Sequence, residues 1–313
     1  MFEEKITYGK TSSLVKTFYA FGFRIQSCID IPVAKTQVDA ESPDVLVHYG
    51  YVPEELYNPQ GCGICFQAKK GEFLLKVKNV ARFLILNGKE IVIDRESSAK
   101  DEEIQLFLLG SAFGALVYQR GLLPISASAV KIGNNAVLFT GSSGNGKSTL
   151  IAALEKKNYP VLSDGLSVVK LNKKGIPIVY PSFPQLNLWA DALEKLDKSI
   201  SSLKKVRPKM EKYQLSIADN YHSFPLPLNH IYSLQTTNRQ EFYMEPVEGF
   251  EKFDLLSSCT FRPRYLNGLG MKTPHFEFCT KLSQTMKMTR VIRPSYPFLL
   301  DELVEGLERV FKK

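Results

Sequence analysis

The sequence predicts an α/β fold in two parts, a small β-rich unit over residues 1–100 and an α/β unit over residues 101–313. Three observations lead there. Short aromatic and β-branched runs between turn signals fill the first part. One apolar run then leads into a glycine loop, Ala136-Val-Leu-Phe-Thr-Gly141-Ser-Ser-Gly144-Asn-Gly146-Lys147-Ser148-Thr149-Leu150, which reads as strand, loop and helix. Beyond it, strand-like and helix-like patterns alternate to the end of the chain.

In the first unit the expected strands are Phe18-Tyr-Ala-Phe-Gly-Phe-Arg-Ile, Asp44-Val-Leu-Val-His-Tyr, Glu72-Phe-Leu-Leu-Lys-Val and Ala81-Arg-Phe-Leu-Ile-Leu. Asn87-Gly88 is a hairpin turn before Glu90-Ile-Val-Ile-Asp94, since both residue types tolerate positive φ. His48 stands alone among strand residues, which suits packing or surface rather than chemistry.

Asp101 can cap a helix that carries Glu102 and Glu103 in its first turn and ends at Gly121. Its residues are apolar on almost every face, so the helix is expected to be buried, with Gly110, Ala112, Gly114 and Ala115 allowing close approach to a sheet. Ile125-Ser-Ala-Ser-Ala-Val-Lys-Ile132, a Gly133-Asn134-Asn135 turn and the glycine-loop strand then form a hairpin.

The spacing Gly141-x-x-x-x-Gly146-Lys147-Ser148 is the P-loop pattern. Glycines let successive backbone N–H groups converge on phosphate oxygens without Cβ clashes, and the following helix adds its positive end. Gly141, Ser142, Ser143, Gly144, Asn145, Gly146, Lys147, Ser148 and Thr149 are therefore the nucleotide-binding candidates. Lys147 would clamp the terminal phosphates, and the Ser148 hydroxyl would hold Mg²⁺.

After that helix comes Tyr159-Pro-Val-Leu-Ser163-Asp164-Gly165. The short spacing leaves room for one helix and one strand, a minimal βαβ unit that puts Asp164 at the carboxyl end of a strand neighbouring the glycine loop. An acid there suits Mg²⁺ or a hydroxyl losing its proton. The bland alternative is a turn aspartate starting an Asp-Gly bend. Leu166-Ser-Val-Val-Lys-Leu and Ile176-Pro-Ile-Val-Tyr continue as strands, and Ala190 to Leu196, after Trp189, is a short helix. Lys198 to Lys212 is basic and polar, either a mobile loop near phosphate or a solvated one. The remainder reads as strands at His230 to Gln235 and Phe242 to Pro246 with two helical stretches, the last from Phe298 to Phe311.

Composition is that of an ordinary globular protein. The start, Met1-Phe-Glu-Glu-Lys-Ile-Thr-Tyr-Gly, lacks the pattern of a signal peptide, and the apolar run Ile104 to Tyr118 falls short of the ~20 residues of a membrane span. A cytoplasmic protein without a membrane partner is expected. Five scattered cysteines argue against a disulfide framework. Cys62-Gly-Ile-Cys65 has no second pair at zinc spacing, so buried reduced thiols are expected there. The net charge of +8 suits an acidic or phosphorylated partner, ATP included. The lysines are spread out, and no specific nucleic-acid binding is expected.

Taken together, Gly110-Ser-Ala-Phe-Gly-Ala-Leu, Leu123-Pro-Ile-Ser-Ala-Ser-Ala-Val130, the P-loop, Val161-Leu-Ser-Asp-Gly-Leu-Ser-Val-Val169, Pro181-Ser-Phe-Pro-Gln-Leu-Asn-Leu-Trp189 and Arg290-Val-Ile-Arg293-Pro294 resemble HPr kinase-related proteins. Within that family the chain is most similar to the kinases associated with lasso-peptide biosynthesis. The resemblance implies a P-loop kinase domain like the HPr kinase C-terminal domain, related to phosphoenolpyruvate carboxykinase, behind a small β-rich domain. It also implies ATP- and Mg²⁺-dependent phosphorylation of a serine on a peptide or small protein, with Asp164 matching the first of two adjacent aspartates. Two positions depart from the family: Ser126 stands where His is usual, and Gly165 where the second aspartate is usual.

The reading from sequence is thus a kinase with Gly141 to Gly146 as phosphate cradle, Lys147 and Asp164 as catalytic groups, and Ser148 with Asp164 as metal ligands. A nucleotide-binding regulator that has lost transfer is the non-enzyme rival, with Ser126 and Gly165 as its support. A small-molecule kinase is the third reading. A homo-oligomer is compatible with the sequence.

Overall fold

The computed structural model describes residues 16–31, 42–207, 210–239, 242–296 and 299–312. Among the described residues it is a mixed α/β structure with three sheets. The first has eight strands, in the spatial order Lys16–Ala20, Phe23–Ser27, Val45–Tyr49, Glu90–Arg95, Ala81–Leu86, Glu72–Val77, Phe66–Lys69 and Gly61–Gly63. Alternation decides its faces: along Ala81–Leu86 every second residue is buried. The Asn87-Gly88 turn has both residues at positive φ, 51° and 64°. His48 pairs with Glu90 at 2.7 Å on this sheet. Cys62 and Cys65 are exposed free thiols, not the buried pair expected, because the short strand Gly61–Gly63 lies at the sheet edge.

One helical rod follows, Asp101–Phe107, a π-helical turn over Leu108–Ala112, and Phe113–Gln119. Lys100 rather than Asp101 is its N-cap; Asp101 instead accepts from Arg95 at 2.6 Å. The rod is buried as its all-round apolarity requires. One core joins it to Phe73, Phe83 and Ile91 of the first sheet and to Leu166, Val168 and Phe183 beyond the glycine loop. No helix among the described residues is long and apolar enough to cross a membrane.

The second sheet has nine strands. Its main path runs Val161–Ser163, Ala127–Ile132, Asn135–Thr140, Leu226–Thr237, Pro177–Tyr180, Ser167–Leu171 and Leu123–Ile125, and Lys287–Pro294 with Tyr243–Pro246 branches from Leu226–Thr237. The expected hairpin is present, Ala127–Ile132 against Asn135–Thr140. The βαβ expectation needs a correction. Val161–Ser163 pairs with Ala127–Ile132, not with the glycine-loop strand, whose other neighbour is the parallel strand Leu226–Thr237. The hairpin strand occupies the slot between them because the two-residue turn Gly133-Asn134 seats it directly beside the glycine-loop strand, Ile132 opposite Asn135. Two antiparallel steps still leave Val161–Ser163 parallel to Asn135–Thr140, so their carboxyl ends share one side of the sheet.

A third, small sheet of Gln185–Trp189, Lys212–Ser216 and Lys204–Lys205 leans over that side. The basic stretch expected as a loop is therefore partly strand, and its Pro208 and Lys209 lie outside the described residues. Past Leu226–Thr237 there are four helices among the described residues, not two: Glu251–Ser258, Tyr265–Gly268, Lys272–Thr285 and Leu300–Phe311. The last was expected from Phe298, which lies outside the described residues.

Candidate functional site

The glycine loop begins where the buried strand Asn135–Thr140 runs out. Gly141 has φ of 139°, and a Cβ there would stand 2.4 Å from the Leu234 carbonyl oxygen. Only glycine permits so close an approach to the parallel neighbour strand. Gly144 and Gly146 also take positive φ, 92° and 86°, and the helix Lys147–Lys156 opens directly from Gly146. Two further bonds tie the loop down. The Asn145 Nδ2 donates to Leu234 O at 2.8 Å, and Arg293 Nη2 donates to Asn145 O at 3.1 Å.

The Lys147 ammonium folds over this loop and donates to the carbonyls of Gly141, at 2.7 Å, and Ser142, at 3.0 Å. Burial lowers its pKa, the Asp164 carboxylate opposes that shift, and nearby Lys212 adds to it. Two cations thus face one acid beside the loop.

Asp164 is the hub. Its Oδ1 accepts from Ser148 Oγ at 2.9 Å and from Ser128 Oγ at 2.6 Å, and its Oδ2 accepts from the Asn187 N–H at 3.2 Å. These donors come from the glycine-loop helix, the hairpin strand and the small sheet. Gly165 follows at φ 77°, so the Asp-Gly bend and the acid beside Ser148 are one feature rather than alternatives.

Three cavities meet at Ser143. The first, about 390 Å³, is lined by Lys147, Ser148, Thr149, Trp189, Lys212 and Arg293. The second, about 470 Å³, lies between Asp164, the π-helical turn at Gly110, Arg207, Lys212 and Arg262. The third, about 720 Å³, opens on the far side of the loop against Ser233, Cys259 and Arg262. All are in the size range of small-molecule sites.

The residues fit a metal-bound nucleotide. Three glycines at positive φ shape the loop, and the Ser148 hydroxyl with the Asp164 carboxylate offers hard oxygens of the kind Mg²⁺ prefers. Among the described residues no group of three or more His, Cys, Asp or Glu side chains is placed to hold a metal by itself. Mg²⁺ bound through one or two protein oxygens completes its shell with water and substrate phosphate.

No family model matches the chain, and no curated protein matches it. Among solved structures it is similar to the Hpr(Ser) kinase/phosphatase from Coxiella burnetii, with 12% identity, 60% of this chain and 90% of that chain covered, and a TM-score of 0.31. The chemistry of the site therefore rests on this chain's own residues.

Of the residues singled out from sequence, Gly141 to Thr149 form one continuous loop and helix start, with Ser142, Ser143 and Gly144 exposed at its crest. Asp164 joins them through Ser148. Ser126 lines the first and third cavities and donates its N–H to Cys259 O at 2.7 Å. From the basic stretch, Arg207 reaches the second cavity with its guanidinium 5.5 Å from the Phe107 ring centre, and Lys212 lines the first two. Sequence reasoning missed Ser128 and Asn187 as partners of Asp164. Both lie within segments carrying the family resemblance, but neither a serine in an Ala-Ser-Ala strand nor a backbone N–H has a local mark of its role.

Proposed function

We propose that this protein is a P-loop phosphotransferase that moves the terminal phosphoryl group of Mg-ATP onto a serine hydroxyl of a peptide or small protein. The kind of acceptor comes from the sequence resemblance to HPr kinase-related proteins and their lasso-peptide branch, and a cytoplasmic location is part of the same proposal. The observation that carries the reading is the meeting of Ser148 and Asp164 at 2.9 Å beside the loop that Lys147 closes.

In this reading the loop N–H groups and the Lys147 ammonium hold the phosphates, and Mg²⁺, when bound, would supply charge neutralisation there. Ser148 and Asp164 would hold the metal. The acceptor oxygen forms a bond to the terminal phosphorus, the bond to the bridging oxygen breaks, and ADP leaves. Asp164, the carboxylate that lines the second cavity, takes the hydroxyl proton. Phosphoryl transfer has a loose transition state, so positioning and charge neutralisation supply most of the acceleration.

One observation favours the regulator reading instead. Both Asp164 oxygens already accept hydrogen bonds, and the next residue is Gly165, so one carboxylate must serve both metal and proton.

The test is phosphoryl transfer from radiolabelled ATP to a pool of serine-containing peptides, with wild type and Asp164→Asn compared. Labelled phosphoserine that depends on Asp164 supports the kinase. Tight ATP binding by wild type with no label transferred points to the regulator.

A further inference from the structure

We infer that the indole of Trp189 stacks on the base of the bound nucleotide, forming the base-binding wall of the 390 Å³ cavity. This rests on the nucleotide reading of the glycine loop and adds the part of the ligand that the loop does not touch. A P-loop holds phosphates; the planar base needs a surface of its own.

The strand Gln185–Trp189 supplies that surface by alternation. Leu186 and Leu188 are buried in the core, 0% and 1% exposed, so Gln185, Asn187 and Trp189 share the opposite face. The Asn187 side chain bonds to Gln185 on that face, and its N–H holds Asp164. Trp189 stands two residues further on, about 7 Å along the strand. The ring is therefore set back from the metal-binding acid, on the same cavity that contains Lys147, Ser148 and Thr149.

The ring is also held in place and open. Trp189 pairs in register with Lys212 on the neighbouring strand, and the Lys212 ammonium lies 5.7 Å from the ring centre. Ala190 N–H donates to Glu211 O at 2.9 Å and fixes the corner behind it. Even so, Trp189 remains 48% exposed. A large aromatic face kept half in solvent at the edge of a polar, cationic cavity is suited to a flat ring ligand that carries negative charge at its other end.

Aromatic stacking tolerates any base, because every base has a π-face. The prediction is therefore affinity for nucleotides through Trp189 with little discrimination between adenine and guanine.

The experiment compares calorimetric titrations of Mg-ATP and Mg-tripolyphosphate into wild type, Trp189→Ala and Trp189→Phe. Tripolyphosphate carries the charge of the phosphate chain without a base. Trp189→Ala should weaken Mg-ATP roughly 5- to 150-fold, the span expected for one stacked base, and leave Mg-tripolyphosphate unchanged. Trp189→Phe should recover most of the loss. Because Trp189 is the sole tryptophan of the chain, its emission should also change with Mg-ATP and not with Mg-tripolyphosphate. Equal ATP affinity in wild type and Trp189→Ala overturns the stacking while leaving the nucleotide site standing. Parallel loss of both ligands makes Trp189 structural and overturns it too. A wild-type chain that binds no ATP sinks the nucleotide reading itself.

Discussion

The Ser128 hydroxyl donates to Asp164 Oδ1 at 2.6 Å, the same oxygen that Ser148 reaches from the other side. Ser128 is fully buried, so its proton has a fixed direction. It acts as a positioning residue, aiming the carboxylate toward the helix that follows the glycine loop. Loss of such a supporting contact typically costs about 10- to 100-fold in metal affinity or activity. Ser128→Ala should raise the Mg²⁺ concentration needed for ATP turnover by that order while leaving metal-free ATP affinity unchanged. An unaltered Mg²⁺ dependence would show that the bond is only structural.

Gly165 offers a way to ask whether one acid is enough. Its φ is 77°, so any side chain there is strained, but a Cβ would meet nothing within 4 Å. Gly165→Asp should cost about 1 kcal/mol of stability, the lower end for left-handed backbone at a non-glycine residue. A second carboxylate would let metal binding and proton removal divide between two groups, and general bases contribute typically about 10²–10⁴-fold. Transfer in a single turnover should rise at least about tenfold. If the melting temperature drops and the transfer rate does not move, a second carboxylate has no role at this position.

Acid sensitivity should follow from the partly buried histidines. His230 stacks on Tyr232 with ring centres 4.3 Å apart and bonds to Thr289 at 2.8 Å. Burial, and then Lys287, push its pKa from 6.5 down to about 4, and burial lowers those of His222 and His275 as well. Between those values the unfolded chain binds more protons than the folded one. Stability present above pH 6.5 is therefore lost as the pH falls toward 4. The urea midpoint should decline over that window, and His230→Gln should flatten the decline. Parallel curves for wild type and variant would remove His230 from the explanation.

Local chemistry was legible in the sequence where a few adjacent residues determine it. The glycine loop, the hairpin from Ala127 to Thr140, the Asn87-Gly88 turn and the buried rod from Asp101 to Gln119 all follow from spacing, turn preference and apolar pattern. Sheet order did not follow. That Val161–Ser163 pairs with Ala127–Ile132 rather than with the glycine-loop strand is a contact between residues far apart in the chain, which no local pattern sets. The π-helical turn at Leu108–Ala112 was equally hidden, since its apolar residues suit an ordinary helix just as well. In the site, Asp164 could be found by its short spacing to Lys147. Its partners Ser128 and Asn187 could not, because a serine in a strand and a backbone N–H carry no signal until the strands are placed.

Calorimetric titration of Mg-ATP into wild type and Lys147→Ala tests the nucleotide site most directly. Lys147 Nζ bonds only to the loop carbonyls of Gly141 and Ser142 among the contacts described, so its removal should leave the melting transition nearly in place. Wild type should bind Mg-ATP, and Lys147→Ala should bind it at least about tenfold more weakly, the loss expected for one charge-assisted contact to phosphate. Equal affinity in the two proteins, or no binding by wild type, would contradict the assignment of Gly141 to Thr149 as a phosphate-binding loop.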